Sequence, residues 1–194
     1  ISGNQAPVVW RGPLVAKMTE QFFKDVVWGD LDYLILDLPP GTGDVQLTLS
    51  QKIPLDGAII ITTPNDIALT DVRKGADMFN KVKTPLLGVI ENMSFMEING
   101  KVNISDQKNS DVELYLNNTK ISLNDDMSFN HKFHLFKKGG GLNESKRLEI
   151  PLLGEIPYSE DLMKSIDKGA PLVFSDSSHP VSDIFIKIAK SLEQ

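Results

Sequence analysis

Short unbroken apolar runs alternate along this chain with longer stretches in which apolar residues recur every three or four positions. Four apolar runs predict strands, near 33–38, 57–62, 86–91 and 151–155. Runs without alternation are typical of strands buried on both faces of a parallel sheet. Helical periodicity predicts helices over 13–27, 44–51, 67–82, 159–168 and 181–192. This order indicates an α/β fold, with a mostly parallel sheet and helices on both faces.

The pattern changes between residues 95 and 137. Apolar and polar residues alternate there around Val112–Leu116 and again over Met127–Leu135, which predicts β-hairpins with one buried face. The same segment is rich in Asn, Asp and Lys, so a loosely ordered insertion is the alternative. We treat 95–137 as an insertion into the α/β domain, either β-rich or disordered.

Polar residues stand where three of the predicted strands end: Asp37, the pair Thr62 and Thr63, and Asn92. Ligands of open α/β sheets bind beyond the carboxyl ends of the strands. Asp37 is followed by Pro39, Pro40 and a glycine turn, and a carboxylate beside such a turn suits a Mg²⁺–phosphate site. The alternative is an Asp that simply opens a tight turn.

Composition excludes several other classes. The chain has 194 residues, a net charge of -6 and no cysteine. The acidic balance argues against a nucleic-acid partner, which would require a basic face. No apolar run approaches the roughly 20 residues of a membrane span. Without cysteine, this chain forms no disulfide and supplies no thiolate to a metal.

One long string is specific to a known family. Residues Leu31 to Leu47, LDYLILDLPPGTGDVQL, resemble the Walker B and switch II segment of the Mrp/ApbC branch of MinD-like P-loop ATPases, a branch that includes iron–sulfur cluster carriers. Glu91-Asn-Met-Ser94 is similar to the base-reading motif of that branch. The resemblance implies a P-loop NTPase-like fold that binds and hydrolyses ATP with Mg²⁺. It also implies a homodimer that serves apoprotein acceptors of iron–sulfur clusters in the cytoplasm, or alternatively in an organellar matrix.

The resemblance also assigns roles to single residues. Asp37 would hold Mg²⁺ through water, and Gly41 would present its N–H to the γ-phosphate. Asn92 would read adenine, since an amide donates and accepts hydrogen bonds together. The loop after Gly154 to Pro157 would flank the base.

Two features depart from the family pattern. No Gly-x-x-x-x-Gly-Lys-Ser/Thr phosphate loop occurs, and the Lys137-Lys-Gly-Gly-Gly string is not a substitute because its lysines precede its glycines. We therefore expect 1–194 to be the C-terminal part of a single P-loop ATPase domain, inactive by itself. The family's Cys-x-x-Cys pair is also missing, so a cluster is implied by the family but not supported by ligands in this chain. His131 and His134 stand in the same interval, but their spacing on a strand would point the two rings to opposite faces.

Three functions remain open at this point. The first is an ATP-dependent iron–sulfur cluster carrier. The second is a cluster-free MinD-like nucleotide switch that recruits or positions a partner protein. The third is an inactive remnant of such an ATPase.

Overall fold

The computed structural model of the protein describes residues 12–38, 44–103 and 112–193. Its helices are α1 (Gly12–Asp25), α2 (Asp44–Lys52), α3 (Asp66–Lys81), α4 (Gly140–Leu148), α5 (Glu160–Asp167), α6 (Leu172–Ser175) and α7 (Pro180–Ser191). Its strands are β1 (Ala58–Thr62), β2 (Leu86–Lys101), β3 (Leu114–Leu116), β4 (Thr119–Ile121), β5 (Ser128–Phe133) and β6 (Leu152–Tyr158).

The long strand β2 organises the four-stranded sheet, in which it pairs with β1, β5 and β6. Its first half runs parallel to β6, with Asn92 opposite Ile156. Its second half runs antiparallel to β5, from Met96 opposite Phe133 to Lys101 opposite Ser128. The helices between the strands and the parallel β2–β6 pair confirm the predicted α/β class.

The described chain divides into two compact units. One comprises Ile1–Ile60 with Thr70–Leu87, and the other comprises Ile61–Leu69 with Gly88–Gln194. In the first unit, the Glu20 carboxylate of α1 accepts hydrogen bonds from Lys24 and from Lys52 of α2, each at 2.7 Å. Buried apolar residues of this unit include Leu49, Ala76 and Phe79.

The second unit contains the candidate site and a larger apolar core. Its buried apolar residues include members of β2, β6 and α7 and of the hairpin that β3 forms with β4: Val89, Ile90, Phe95, Ile121, Ile156, Val181 and Ile188. Among the helices of the described residues, none combines the length and the apolar character needed to cross a bilayer.

Two strand predictions were wrong. Residues 33–38 form no strand, and Tyr33 and Ile35 are 66% and 89% exposed. A strand that is apolar on both faces needs hydrogen-bonded neighbours, and no described strand pairs with this segment. The third strand does not end at Asn92 but continues to Lys101. The reason is that β5 supplies a second partner for its last residues.

The segment 95–137 is β-rich in its described residues. The end of β2 and β5 form one antiparallel pair, and β3 and β4 form a separate hairpin. Gly100 lies under the ring of Phe129, where a Cβ on the glycine would be 2.6 Å from the ring atoms Cε1 and Cζ. Residues 104–111 lie outside the described part of the chain.

Candidate functional site

The amide of Asn92 lies in β2 at the point where its pairing with β6 is interrupted. Asn92 is opposite Ile156, the next register pair is Met96 with Tyr158, and the register shifts between them. Met93 adopts a left-handed backbone with φ of 53°, and its N–H donates to Asn92 Oδ1 at 3.0 Å. Because Oδ1 already accepts this bond, Nδ2 remains the donor that Asn92 offers to a ligand.

Pro157 follows Ile156, the register partner of Asn92, so β2 and β6 bring Asn92 and Pro157 close together. Pro157 lies within β6, which ends at Tyr158, and not in a loop after that strand as we predicted. The proline is tolerated there because β6 pairs with only one described strand, β2, and ends one residue later.

The turn after β1 is held by its own polar side chains. Thr62 is buried, and its hydroxyl donates to the carbonyl oxygen of Thr63 at 3.1 Å. Asn65 Nδ2 donates to the Thr63 hydroxyl at 2.8 Å, and Asn65 Oδ1 accepts the N–H of Ala68 at 2.8 Å. This second bond caps the N-terminus of α3, which the sequence marks with Asn immediately before the helix.

The N-terminus of α4 packs against Pro64, which follows β1, and against Glu91 of β2. A Cβ on Gly140 would be 2.9 Å from Pro64 Cα, and one on Gly141 would be 2.8 Å from Glu91 Cβ. The Gly141 N–H, one of the first donors of the helix, donates to the Glu91 carboxylate. Glycine is therefore required at 140 and 141 for close approach, not for a left-handed conformation.

Glu91 is a buried carboxylate, only 1% exposed. Burial raises its pKa above the usual value, partly opposed by the hydrogen bond from Gly141 and by the charge of His134, while Glu155 raises the pKa further. We did not single out Glu91 as a candidate site residue from the sequence. A charged residue at the end of an apolar strand was the available signal.

The segment after β5 is tied to the same edge. His134 Nδ1 lies 3.1 Å from the carbonyl oxygen of Ser94, and because a carbonyl only accepts, Nδ1 carries the hydrogen. Lys137 Nζ lies 2.5 Å from Asp66 at the start of α3. His131 lies in β5 opposite Ile98, whereas His134 follows the strand.

The remaining predicted site residues belong to the other unit. Asp37 is exposed and lies in the segment without regular structure. Gly41 lies outside the described residues. Within the described ranges, no three residues among His, Cys, Asp and Glu are grouped so that they could hold a metal ion. Thr62 and Thr63 at the end of β1 and Asn92 in β2 carry neutral donors and acceptors, which suit a base or a sugar better than a phosphate chain.

The chain was compared with known proteins. A family model described as NUBPL iron-transfer P-loop NTPase matches residues 1–118 and 102–193. The iron-sulfur cluster carrier protein of Aquifex aeolicus is 37% identical over 194 residues, which cover 100% of this chain and 46% of that relative. The iron-sulfur cluster transfer protein NUBPL of Mus musculus is 37% identical over 187 residues, covering 96% and 50%. The chain thus spans about half the length of these curated relatives.

Solved structures support the fold. The nucleotide-binding protein of Archaeoglobus fulgidus in complex with ADP is 32% identical, with a TM-score of 0.57 over 80% of this chain and 53% of that one. MinD of Pyrococcus horikoshii complexed with Mg-ADP is 16% identical, with a TM-score of 0.56 over 95% and 57%, which supports the fold alone. These matches confirm the P-loop NTPase-like α/β fold and the Mrp-type resemblance. The chain belongs to the family of NUBPL iron-transfer P-loop NTPases.

Proposed function

We propose that this sequence is part of an ATP-binding and ATP-hydrolysing carrier that delivers iron–sulfur clusters to acceptor apoproteins. The observation that carries the proposal is the match of 100% of the chain, at 37% identity, to a relative named as a cluster carrier. The ADP in the Archaeoglobus relative supports an adenine nucleotide as the ligand. We place the carrier in the cytoplasm, with an organellar matrix as the alternative, and expect it to act as a homodimer.

In this proposal each predicted site residue has its own role toward the nucleotide. Asn92 reads the adenine base with its Nδ2 donor, and Pro157 flanks the base from β6. Gly41 presents its N–H to the γ-phosphate. Asp37 holds Mg²⁺ through water, and its exposed carboxylate provides the hard oxygen ligand that this ion prefers. Bound Mg²⁺ would neutralise charge on the phosphates, and the protein's own groups would orient the nucleotide.

The cluster is the cargo in this proposal, and its ligands are not provided by this chain. Iron–sulfur clusters are held by thiolates, and the chain contains no cysteine. The second candidate is therefore a cluster-free nucleotide switch that recruits a partner protein, which the same lack of thiolates favours. Iron and sulfide analysis of the purified protein separates the two candidates.

The nucleotide part is tested with Asp37→Asn in the longest natural chain that carries this sequence. Loss of an anionic metal ligand should lower Mg²⁺-dependent ATP hydrolysis by about a hundredfold, because metal coordination supplies several kcal/mol of charge stabilisation. The unfolding midpoint should not change, since Asp37 is exposed. Asp32→Asn is the matched control, because Asp32 is an exposed carboxylate of the same segment and should keep full activity. Unchanged hydrolysis by a folded Asp37→Asn protein would refute the role of Asp37.

A further inference from the structure

Glu91 is a buried acid for which the proposed nucleotide chemistry has no role. It is 1% exposed, as is Glu144 of α4. Glu144 has a cationic neighbour, since Arg147 Nε lies 2.5 Å from its carboxylate. Among the described residues, no lysine or arginine forms a salt bridge with Glu91, which instead accepts the N–H of Gly141. A buried carboxylate without a salt-bridge partner is costly, and a neutral side chain of the same size would avoid that cost.

The backbone that follows Glu91 is strained. Met93 has φ of 53°, a left-handed conformation that a residue with a long side chain rarely adopts. Such conformations persist only where the surrounding structure holds them, and they concentrate at functional sites. The β2–β6 register shifts at the same place, between Asn92 and Met96.

We call the irregular part of β2 between Asn92 and Met96 the bulge. Two buried residues hold it, one near each end. On the N-terminal side, the Glu91 carboxylate binds the first turn of α4 through Gly141. On the C-terminal side, the Ser94 hydroxyl donates to the carbonyl oxygen of Ile156 at 3.1 Å, and Ser94 is also 1% exposed. Asn92 and Met93 lie between these two anchors, so the direction of the Asn92 amide depends on both.

Strand geometry connects Glu91 to Asn92. Successive side chains of a strand point to opposite faces. Glu91 therefore fixes β2 to α4 from one face, while Asn92 stands on the other. The Asn92 side chain is fixed in turn, because Oδ1 accepts the N–H of the strained Met93 at 3.0 Å.

We propose that Glu91 is a positioning residue for nucleotide selection: by anchoring β2 to the N-terminus of α4, it sets the direction in which Asn92 presents its Nδ2 donor to the base. This inference rests on the proposed nucleotide function and deepens it. A donor held in one direction favours a base that places an acceptor there over a base that does not.

The test compares Glu91→Gln with wild type in the longest natural chain that carries this sequence. Glutamine keeps the size and an acceptor for the Gly141 N–H, but it turns a charge-assisted hydrogen bond into a weaker neutral one. The dissociation constants of ATP and ITP, two nucleotides that differ at the base, are measured for each protein. The preference for one base over the other should fall by about threefold to tenfold, which corresponds to the difference between a charge-assisted and a neutral hydrogen bond.

Glu144→Gln is the matched control, because it also removes a buried carboxylate of the same unit. It is expected to lower stability without changing the ratio of the two dissociation constants. Hydrogen exchange gives a second readout that needs no nucleotide. The amide of Met93 should exchange faster in Glu91→Gln than in Glu144→Gln, because only the first variant loosens the bulge.

The outcomes separate this inference from the function on which it rests. Normal nucleotide binding by a folded Glu91→Gln protein, with unchanged base preference and unchanged Met93 exchange, would overturn the positioning role alone. Failure of the wild-type protein to bind either nucleotide would overturn the proposed function and this inference with it. If Glu91→Gln does not fold, Glu91→Asp replaces it. Aspartate keeps the charge but is one methylene too short to reach Gly141, and the same loss of base preference is expected.

Discussion

A single methyl group added at Gly141 tests the packing of α4 on β2. A Cβ at this position would be 2.8 Å from Glu91 Cβ, 3.0 Å from Glu91 Oε2 and 3.4 Å from Glu91 Cγ. The first distance is shorter than real Cβ atoms tolerate, and Glu91 is buried at 1% exposure, so it has little room to move. Either α4 must shift away from β2 or the Glu91 side chain must leave its position.

The expected cost follows from three contributions. Overpacking of a filled site costs about 1–3 kcal/mol. Loss of the hydrogen bond from the Gly141 N–H to the carboxylate adds about 1.5–3 kcal/mol if α4 shifts. Replacing Gly by Ala within a helix returns at most about 1 kcal/mol. Gly141→Ala should therefore destabilise the second unit by about 2 kcal/mol or more.

Gly75 provides a matched control within another helix. It lies in α3, and apart from its chain neighbours and the nearby helix backbone, no atom of the described residues lies within 4 Å of a Cβ built there. Gly75→Ala should therefore stabilise the protein by about 0.5–1 kcal/mol, through the lower entropy of the unfolded chain and better helix propensity. Replacing glycine by alanine should therefore change the free energy of unfolding in opposite directions at these two helical positions.

The assay is urea unfolding followed by circular dichroism, with hydrogen exchange by mass spectrometry to read the two units separately. Exchange of peptides from β6 reports on Gly141→Ala, and exchange of peptides from α3 reports on Gly75→Ala. A Gly141→Ala protein as stable as wild type would refute the close packing of Gly141 on Glu91.

Two further predictions concern the ion pairs of α1 and the absent thiolates. Hydrogen bonds from Lys24 and Lys52 lower the pKa of Glu20 from its usual 4.5 to about 2. The contribution of Glu20 to stability is therefore present above pH 4.5 and is lost as the pH falls toward 2. Glu20→Gln should therefore lower the urea midpoint at pH 7 but not at pH 2. About 1 M salt should reduce the difference between the two proteins at pH 7, because the ion pairs are exposed. Equal differences at both pH values would contradict the assigned role of the ion pairs. After anaerobic reconstitution, the chain by itself should hold no stoichiometric iron–sulfur cluster, by iron and sulfide analysis, because it offers no thiolate. A stoichiometric cluster whose visible absorption disappears when His131 and His134 are both replaced by alanine would show that histidines suffice.

Much of the fold could be predicted because periodicity records which positions are buried. The predicted helix over 67–82 corresponds to α3 at Asp66–Lys81, and the closing helix over 181–192 corresponds to α7 at Pro180–Ser191. The strands near 57–62 and 151–155 correspond to β1 and β6 within a few residues. In each case the signal lies within the element itself, so local sequence was sufficient.

The sequence also singled out Asn92 as the candidate base-reading residue, since it follows the strand predicted near 86–91 and stands in a specific motif. That role stays a prediction. The sequence did not identify Glu91, whose partner Gly141 is 50 residues away in the chain. Nor did it predict α4, whose first residues are glycines that disfavour a helix by themselves. The reason for these glycines is tertiary packing, because a side chain at either position would collide with Pro64 or with β2.

The sequence by itself determined the apolar and polar character of each segment and, through it, the α/β class and most element positions. Tertiary structure alone decided which segments pair. The run at 33–38 has the pattern of a buried strand but is exposed, because no described strand pairs with it. Strand β2 passes beyond Asn92 because β5, about 30 residues later, hydrogen-bonds its second half. A strand is completed by partners on its edges, and the identity of those partners is a long-range property that local periodicity does not contain.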